Sequence, residues 1–97
     1  MAAYKLIAAA DQDFETIFEF GIDTFGIDQA LIYQTGMMMR FDELAQQPIL
    51  YNAVDHIQEG YRRSVFGSHS INYRLVSDGI VIVRILGRQD PKTSLST

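Results

Sequence analysis

The sequence predicts an α+β fold in which a helical hairpin packs on a small, mainly antiparallel sheet, in the order β-α-α-β-β-β. Three observations support this fold class. Apolar residues recur at helical spacing up to Gln46, they alternate as in strands from Tyr61 onward, and Asp78-Gly79 marks a tight turn between two strands. Helices followed by a run of strands are typical of α+β domains. At 97 residues, we expect a single domain over residues 1–97.

A short first strand is predicted from Tyr4 to Ala8. Tyr4 and Leu6 lie on one side of it, and Lys5 and Ile7 lie on the other. The strand leads directly into the first helix.

The first helix is predicted to begin near two carboxylates and to end at a glycine. Asp11 and Asp13 favour its positive amino end, and Gly26 suits the left-handed position that follows a helix. Residues at a spacing of three and four predict one buried stripe. The stripe consists of Phe14, Ile17, Phe18, Gly21, Ile22 and Phe25.

The second helix is predicted from Asp28, as its amino cap, to Gln46, and Pro48 closes it. So short a link makes the two helices an antiparallel hairpin. The residues expected to face inward are Ala30, Tyr33, Met37, Phe41 and Leu44.

Two features inside this helix carry their own predictions. Gly36 costs about 1 kcal/mol relative to alanine in a helix interior, so we expect a neighbouring backbone to approach it closely. Met37, Met38 and Met39 point in three directions around a helix, which predicts core packing plus a partly exposed apolar edge.

Residues 49–59 show no clear period and are predicted to be an irregular connection. The strands begin at Tyr61. Asp78-Gly79 predicts a two-residue type I′ turn, since both residue types accept positive φ angles. That loop would pair Leu75 with Ile82, Tyr73 with Arg84 and Ile71 with Leu86 on the face that covers the helices. The opposite face is predicted to meet a partner and carries Ser70, Asn72, Arg74, Val76, Val81, Val83 and Ile85.

Charge is distributed unevenly along the chain. The first 59 residues carry ten acidic and two basic side chains, a net charge of −8, whereas the remaining 38 carry six basic and two acidic ones, a net charge of +4. Such asymmetry indicates a charged partner. Five of the six basic residues are arginines, which suit planar recognition of carboxylates and phosphates. They are Arg62, Arg63, Arg74, Arg84 and Arg88.

Composition excludes several classes of protein. The chain has no cysteine, so disulfides and cysteine-ligated zinc are impossible, and its two histidines have no companions arranged as a metal site. No apolar run reaches the roughly 18 residues of a membrane span. We therefore expect a cytoplasmic protein without membrane association, metal or cofactor. Its net charge of −4 argues against tight, direct binding of nucleic acid.

Several short motifs occur in a fixed order. Their residues are Phe25-Gly26, Gln29-Ala30 and Tyr33; Leu44-Ala45-Gln46-Gln47-Pro48; Asp55, Ile57 and Gly60-Tyr61-Arg62-Arg63; Gly67-Ser68-His69, Ile71 and Tyr73-Arg74; and Val83-Arg84-Ile85-Leu86-Gly87-Arg88-Gln89-Asp90. In this order the chain resembles the ParE branch of the RelE/ParE superfamily of small bacterial toxins over nearly its whole length. It departs from the pattern in its polar Ser70 and Asn72 and in the absence of a histidine after Arg84-Ile85-Leu86.

This resemblance implies the toxin component of a type II toxin–antitoxin system. Such a toxin would inhibit DNA gyrase, block replication and cause growth arrest. A cognate antitoxin would neutralise it by wrapping it with a flexible carboxyl-terminal segment, in a toxin–antitoxin hetero-oligomer. The five arginines are the candidate contacts to target or antitoxin, and no catalytic residue is expected.

The main alternative is a ribosome-dependent mRNA endonuclease, as in the RelE branch. That chemistry needs a base for the 2′-hydroxyl and an acid for the leaving oxygen. The branch places a tyrosine or histidine near the carboxyl terminus, and residues 91–97 contain neither. His69 is interpreted as a turn-end histidine bonded to a backbone group, and His56 as solvated. A third possibility is an inactive relative that only forms the regulatory complex.

Overall fold

The computed structural model describes residues 3–47 and 61–87. The elements follow the predicted order, as β1 (Ala3–Leu6), α1 (Ala8–Phe25), α2 (Ile27–Gln46), β2 (Tyr61–Phe66), β3 (His69–Val76) and β4 (Gly79–Gly87). The strands form one sheet in the order β1-β4-β3-β2, in which β1 runs parallel to β4 and the other pairs are antiparallel. The predicted α+β class is confirmed. The predicted connection over 49–59 lies outside the described residues.

One core joins the helical layer to the sheet. The helices contribute Ala10, Met37, Phe41, Leu44 and Ala45, and the strands contribute Ile71, Tyr73, Ile80, Ile82 and Ile85. Burying each large apolar side chain of this kind stabilises the fold by roughly 1.5–3 kcal/mol. The predicted inward residues of α2 are confirmed, with Tyr33 partly buried at the margin of the core.

The helix boundaries correct two predictions. Gly26 follows α1 with φ 93° and its N–H donates to the Ile22 carbonyl, as expected, but it also precedes α2 directly. Asp28 therefore lies in the first turn of α2 and is not its amino cap. Asp13 does not interact with the amino end of α1 either, because its carboxylate accepts hydrogen bonds from Arg84 and from the Ile85 N–H in β4.

The stripe predicted for α1 is only partly buried. Ala10 is the one fully buried residue of this helix, and Phe14 and Ile17 pack partly against the core. Phe25 remains 67% exposed. The prediction of a buried stripe therefore holds in part for Phe14 and Ile17 and is wrong for Phe25, which no core residue of the described segments covers.

The structure tests the predictions made for Gly36 and for the three consecutive methionines of α2. A Cβ at Gly36 would lie 2.9 Å from the ring of Phe66, so a side chain approaches this glycine and not the expected backbone. Met37 is fully buried, whereas Met38 and Met39 are exposed, which confirms the predicted division of the methionines.

The register between β3 and β4 differs from the prediction. Val76 pairs with Gly79, so the loop is Ser77-Asp78, and no residue other than glycine in the described segments has a positive φ angle. A Cβ at Gly79 would collide with the carbonyl oxygen of Ala3. Glycine is therefore required here by the close passage of β1, not by a type I′ turn.

A β-bulge adds a second correction. Tyr73 pairs with Ile82 but Asn72 pairs with Arg84, which leaves Val83 without an opposite residue. Beyond this extra residue the facing of β4 is reversed, so Ile85 is buried while Arg84 and Leu86 are exposed. The predicted pairs of Leu75 with Ile82 and of Tyr73 with Arg84 are wrong because the Ser77-Asp78 loop shifts the register, so that Leu75 pairs with Ile80 and Tyr73 with Ile82. The predicted pair of Ile71 with Leu86 is wrong because the bulge shifts the register once more, so that Ile71 pairs with Ile85.

Candidate partner-binding surfaces

An apolar groove runs along the helical hairpin. It has a volume of about 540 Å³, and Phe20 and Ile32 on its margin are 62% and 65% exposed. The predicted stripe of α1 supplies one wall, α2 supplies the other, and Ser68, His69 and Gly87 close one end. An exposed apolar concavity of this size on a small domain is typical of a binding surface.

Tyr33 and His69 both line the groove and contact each other. The hydroxyl of Tyr33 lies 2.6 Å from Nδ1 of His69, 3.0 Å from the Phe66 carbonyl oxygen and 3.1 Å from the Ser68 nitrogen. A phenol has one O–H and two acceptor sites. Because a carbonyl only accepts and an amide N–H only donates, the hydroxyl donates to Phe66 and Nδ1 of His69 donates to the hydroxyl. This assigns the Nδ1–H tautomer to neutral His69.

Burial disfavours the charged forms of both Tyr33 and His69. It raises the pKa of Tyr33 above its ordinary value, opposed by the hydrogen bond from the Ser68 N–H, and it lowers the pKa of His69. His69 lies at the start of a strand, as predicted, but its partner is a side-chain hydroxyl and not a backbone group. Tyr73, on the same strand as His69, is fully buried.

The turn before His69 explains why this arrangement holds. Gly67 has φ 55° and Ser68 does not have a positive φ, which fits a type II′ hairpin turn. A Cβ at Gly67 would lie 2.6 Å from the Tyr33 hydroxyl oxygen. Gly67 therefore allows the backbone to adopt the turn, and it leaves room for the ring of Tyr33 to pack against it.

Of the five predicted arginines, the four in the described segments do not form one cluster. Arg63 and Arg74 are exposed, and register places both on the face of the sheet that is turned away from the helices. Arg62 pairs with buried Tyr73, so it lies on the helix-facing side and is half-buried. Arg88 lies outside the described residues.

Arg84 forms a two-pronged ion pair with Asp13, a carboxylate of α1. Its Nε and Nη2 lie 2.7 Å and 3.1 Å from the two carboxylate oxygens, and the pairing raises the pKa of Arg84. Asp13 also accepts from the N–H of Ile85 at 2.9 Å. The carboxylate therefore accepts a hydrogen bond from a backbone N–H of β4 that lies beyond the end of β1 and so has no partner in that strand.

Arg40 is an important residue that the sequence did not reveal. Its Nη1 donates to the hydroxyl of buried Ser64 at 2.8 Å and to the Val65 carbonyl at 2.9 Å, and its guanidinium lies 5.3 Å from the centroid of the Phe66 ring. These contacts fasten α2 to β2. In the sequence Arg40 stands out only as a cation within an acidic helix, and this does not show which residue it contacts.

The described segments contain neither a membrane-spanning helix nor a metal-binding cluster. Within 3–47 and 61–87, neither helix combines the length and apolar character needed to cross a membrane. The same residues contain no group of three or more histidine and carboxylate side chains placed to hold a metal ion.

Comparison with known proteins identifies relatives of this chain. The model of the family described as the ParE toxin of the type II toxin–antitoxin system parDE matches residues 4–91. Toxin ParE1 of Mycobacterium tuberculosis is 36% identical over 84 residues, 86% of each chain, and Toxin ParE1 of Caulobacter vibrioides is 29% identical over 86 residues, 89% of this chain and 88% of that one.

Solved structures share the fold. The chromosomal ParDE system of P. aeruginosa gives a TM-score of 0.78 at 20% identity, over 92% of this chain and 98% of the other. A conserved hypothetical protein of Helicobacter pylori gives 0.59 at 15% identity, over 90% and 94%. The match over nearly all of the sequence, together with the shared fold, shows that this chain belongs to the ParE toxin family of the RelE/ParE superfamily.

Proposed function

We propose that this protein inhibits DNA gyrase as the toxin of a type II toxin–antitoxin pair and acts by binding, without chemistry of its own. One observation carries the proposal beyond family membership: the domain has two chemically opposite surfaces. The groove on the helical hairpin is apolar, whereas the far face of the sheet is cationic. Two such surfaces suit two different protein partners, a neutralising antitoxin and a target.

The groove is the proposed site for the antitoxin. An amphipathic helix places apolar residues at a spacing of three and four, and such a stripe fits an apolar groove between two helices. Phe20, Phe25 and Ile32 are each more than 60% exposed and would be covered by it. Extended antitoxin residues would continue along the sheet. The cognate partner is expected to carry an amphipathic carboxyl-terminal segment and to form a cytoplasmic hetero-oligomer with this chain.

The arginines are the proposed contacts to gyrase or to the antitoxin. Arg63 and Arg74 are exposed on the sheet, and Arg62, Arg84 and Arg88 remain in the predicted set. A ribonuclease would need a general base near its cations. Tyr33 and His69, the nearest approach to such a pair in the described segments, are engaged with each other and with the turn. This arrangement supports binding over cleavage.

The test is a gyrase supercoiling and cleavage assay run beside an in-vitro translation assay. We expect inhibition of supercoiling with trapped, cleaved DNA, while the message stays intact. Codon-dependent cleavage of the message would replace this proposal by the endonuclease alternative, and no effect in either assay would indicate an inactive relative.

A variant makes the same test at residue level. Replacing Arg62, Arg63 and Arg88 together by alanine should abolish growth arrest, because the cationic contacts are lost. Circular dichroism and a thermal melt would confirm that the product is folded. Growth arrest at the parental level by this variant would contradict the role of these arginines.

A further inference from the structure

The sheet has an outer cationic face, which we define as Lys5, Arg63, Arg74 and Arg84. Register places one of these side chains on each of the four strands. Arg74 pairs with Val81, and Val81 pairs with Lys5; in the next row Arg63 pairs with Asn72, and Asn72 pairs with Arg84. Directly opposed residues point to the same side of a sheet. All four cations are exposed.

These cations form a broad patch and not a pocket. Neighbouring strands lie about 4.8 Å apart, so four strands span about 14 Å. Polar Asn72 lies between Arg63 and Arg84, and Tyr61 pairs with Arg74 at one border. The next row holds Ser70 between Val65 and Leu86 and carries no charge. A single carboxylate cannot engage charges that are spread so widely, whereas a row of phosphates can.

Negative charge is concentrated on the other layer. In the described segments the two helices carry eight carboxylates and a single cation, Arg40. Among the described strands, register places no carboxylate on the outer cationic face; Asp78 lies in the turn at its end, and Asp13 reaches it only from α1, by way of Arg84. An approaching polyanion is therefore repelled by the helices and attracted to this one face.

We infer that the outer cationic face binds the phosphate backbone of duplex DNA, weakly and without sequence preference. The inference rests on the proposed function in one respect, namely that the relevant DNA would be the segment held by gyrase. An acidic peptide fits this surface less well, because peptides dock in grooves or along strand edges, whereas this patch is the open face of a sheet. Phosphate contacts require only cations and hydrogen-bond donors at a suitable spread.

The number of cations limits the affinity. Asp13 already holds Arg84, which leaves three side chains to neutralise phosphates fully. Three such contacts predict a slope of about −3 in the plot of log affinity against log salt concentration. Binding of this strength is consistent with the expectation that the chain alone does not hold nucleic acid tightly. It would matter once another protein brings the DNA close.

Fluorescence anisotropy with a labelled 20-base-pair duplex tests the inference directly. Titration of the intact protein at about 50 mM salt should show binding that weakens with the predicted slope. The double variant R63A with R74A should lose at least tenfold in affinity. A labelled peptide of ten glutamates serves as the competing class of ligand and should bind at least tenfold more weakly than the duplex.

A matched control distinguishes the loss of this face from a change in the net charge of the protein. The double variant Q12E with Q46E adds two negative charges at exposed positions of the helices, so its net charge equals that of R63A with R74A. It should keep most of the affinity for DNA. Equal loss in the two double variants, absence of binding by the parent, or equal affinity for the glutamate peptide would each overturn the inference.

The gyrase assay distinguishes this inference from the proposed function. A chain that binds the duplex as described but leaves gyrase unaffected would refute the proposed function and retain the DNA-binding face. A parent chain that inhibits gyrase but shows no duplex binding would refute only the inference.

Discussion

The helical hairpin and the sheet of this domain differ in almost every surface property. The hairpin is acidic and carries an exposed apolar groove, whereas the sheet packs one face against the helices and displays cations on the other, beside exposed Val65 and Leu86. The difference teaches that the modest net charge of −4 is a poor guide to what this protein binds. Each layer has to be considered as a separate surface with its own partner.

The largest expected effect comes from placing a charge in the groove. Ile32→Glu should weaken antitoxin binding by at least 100-fold, because a carboxylate would be buried without a partner against apolar residues. Met39→Glu is the matched control, since Met39 lies on the same helix, is 68% exposed against 65% for Ile32, and does not line the groove.

The measurement is the affinity of each variant for the purified antitoxin by calorimetry, with neutralisation in cells as a second readout. Stability should change little in either case, since both side chains are largely exposed. Equal weakening by Ile32→Glu and Met39→Glu would show that the antitoxin does not use the groove.

A second prediction concerns the junction at which the hairpin meets the sheet. Gly67→Ala should reduce the free energy of unfolding by roughly 1–3 kcal/mol, because it combines an unfavourable φ of 55° with a collision against Tyr33. Gly26→Ala is the control: its φ of 93° is also unfavourable, but nothing lies within 4 Å of the added Cβ. Urea denaturation should show the larger loss for Gly67→Ala, and the reverse order would contradict the packing of Tyr33 on this turn.

The bond from α1 to the edge of β4 gives a smaller expected effect. Asp13→Ala should cost about 1 kcal/mol, because the Ile85 N–H loses its acceptor and Arg84 loses its ion pair. Asp13→Asn keeps an acceptor oxygen for Ile85, so it should cost only a few tenths of a kcal/mol, as an exposed ion pair does. Thermal melts of both variants would measure the difference. A loss as large in the asparagine variant would mean that the charge matters more than the hydrogen bond.

The smallest expected effect is a pH dependence centred on His69. Burial lowers its pKa in the folded state, so the unfolded chain takes up a proton first as the pH falls below about 6.5. Stability should therefore decrease from pH 7 toward pH 5 and stop decreasing, for this group, below the folded pKa. His69→Gln removes this contribution, and denaturant titrations of both proteins should show a flatter profile for the variant. Parallel profiles would argue against a neutral His69 beneath the groove.

The sequence was sufficient to predict the element order, because each helix and strand carries its own period. It also predicted the inward face of α2, where Met37, Phe41 and Leu44 repeat regularly. It could not predict the bulge at Val83, since one extra residue among β-branched neighbours leaves no trace in composition. For that reason the facing of Arg84 and Leu86 was wrong.

The candidate surfaces were less accessible to prediction than the fold. The stripe of α1 was recognised as apolar, but the same apolar pattern occurs in residues that are buried in a core and in residues that line an exposed groove. Placement of Arg62 and Arg63 on opposite sides follows from alternation along β2, yet no pattern shows that Arg40 would hold Ser64 or that Tyr33 would reach His69. Such contacts join residues 24 and 36 positions apart, and they depend on how the layers dock.

The parallel pairing of β1 with β4 has a consequence for synthesis. The first strand to leave the ribosome finds its neighbour only when Gly79–Ile82, near the other end of the described chain, has emerged. Until then Tyr4 and Leu6 have no strand beside them, and Lys5 stands apart from the arginines. A polypeptide that stops before Gly79 therefore lacks both this pairing and the finished cationic face.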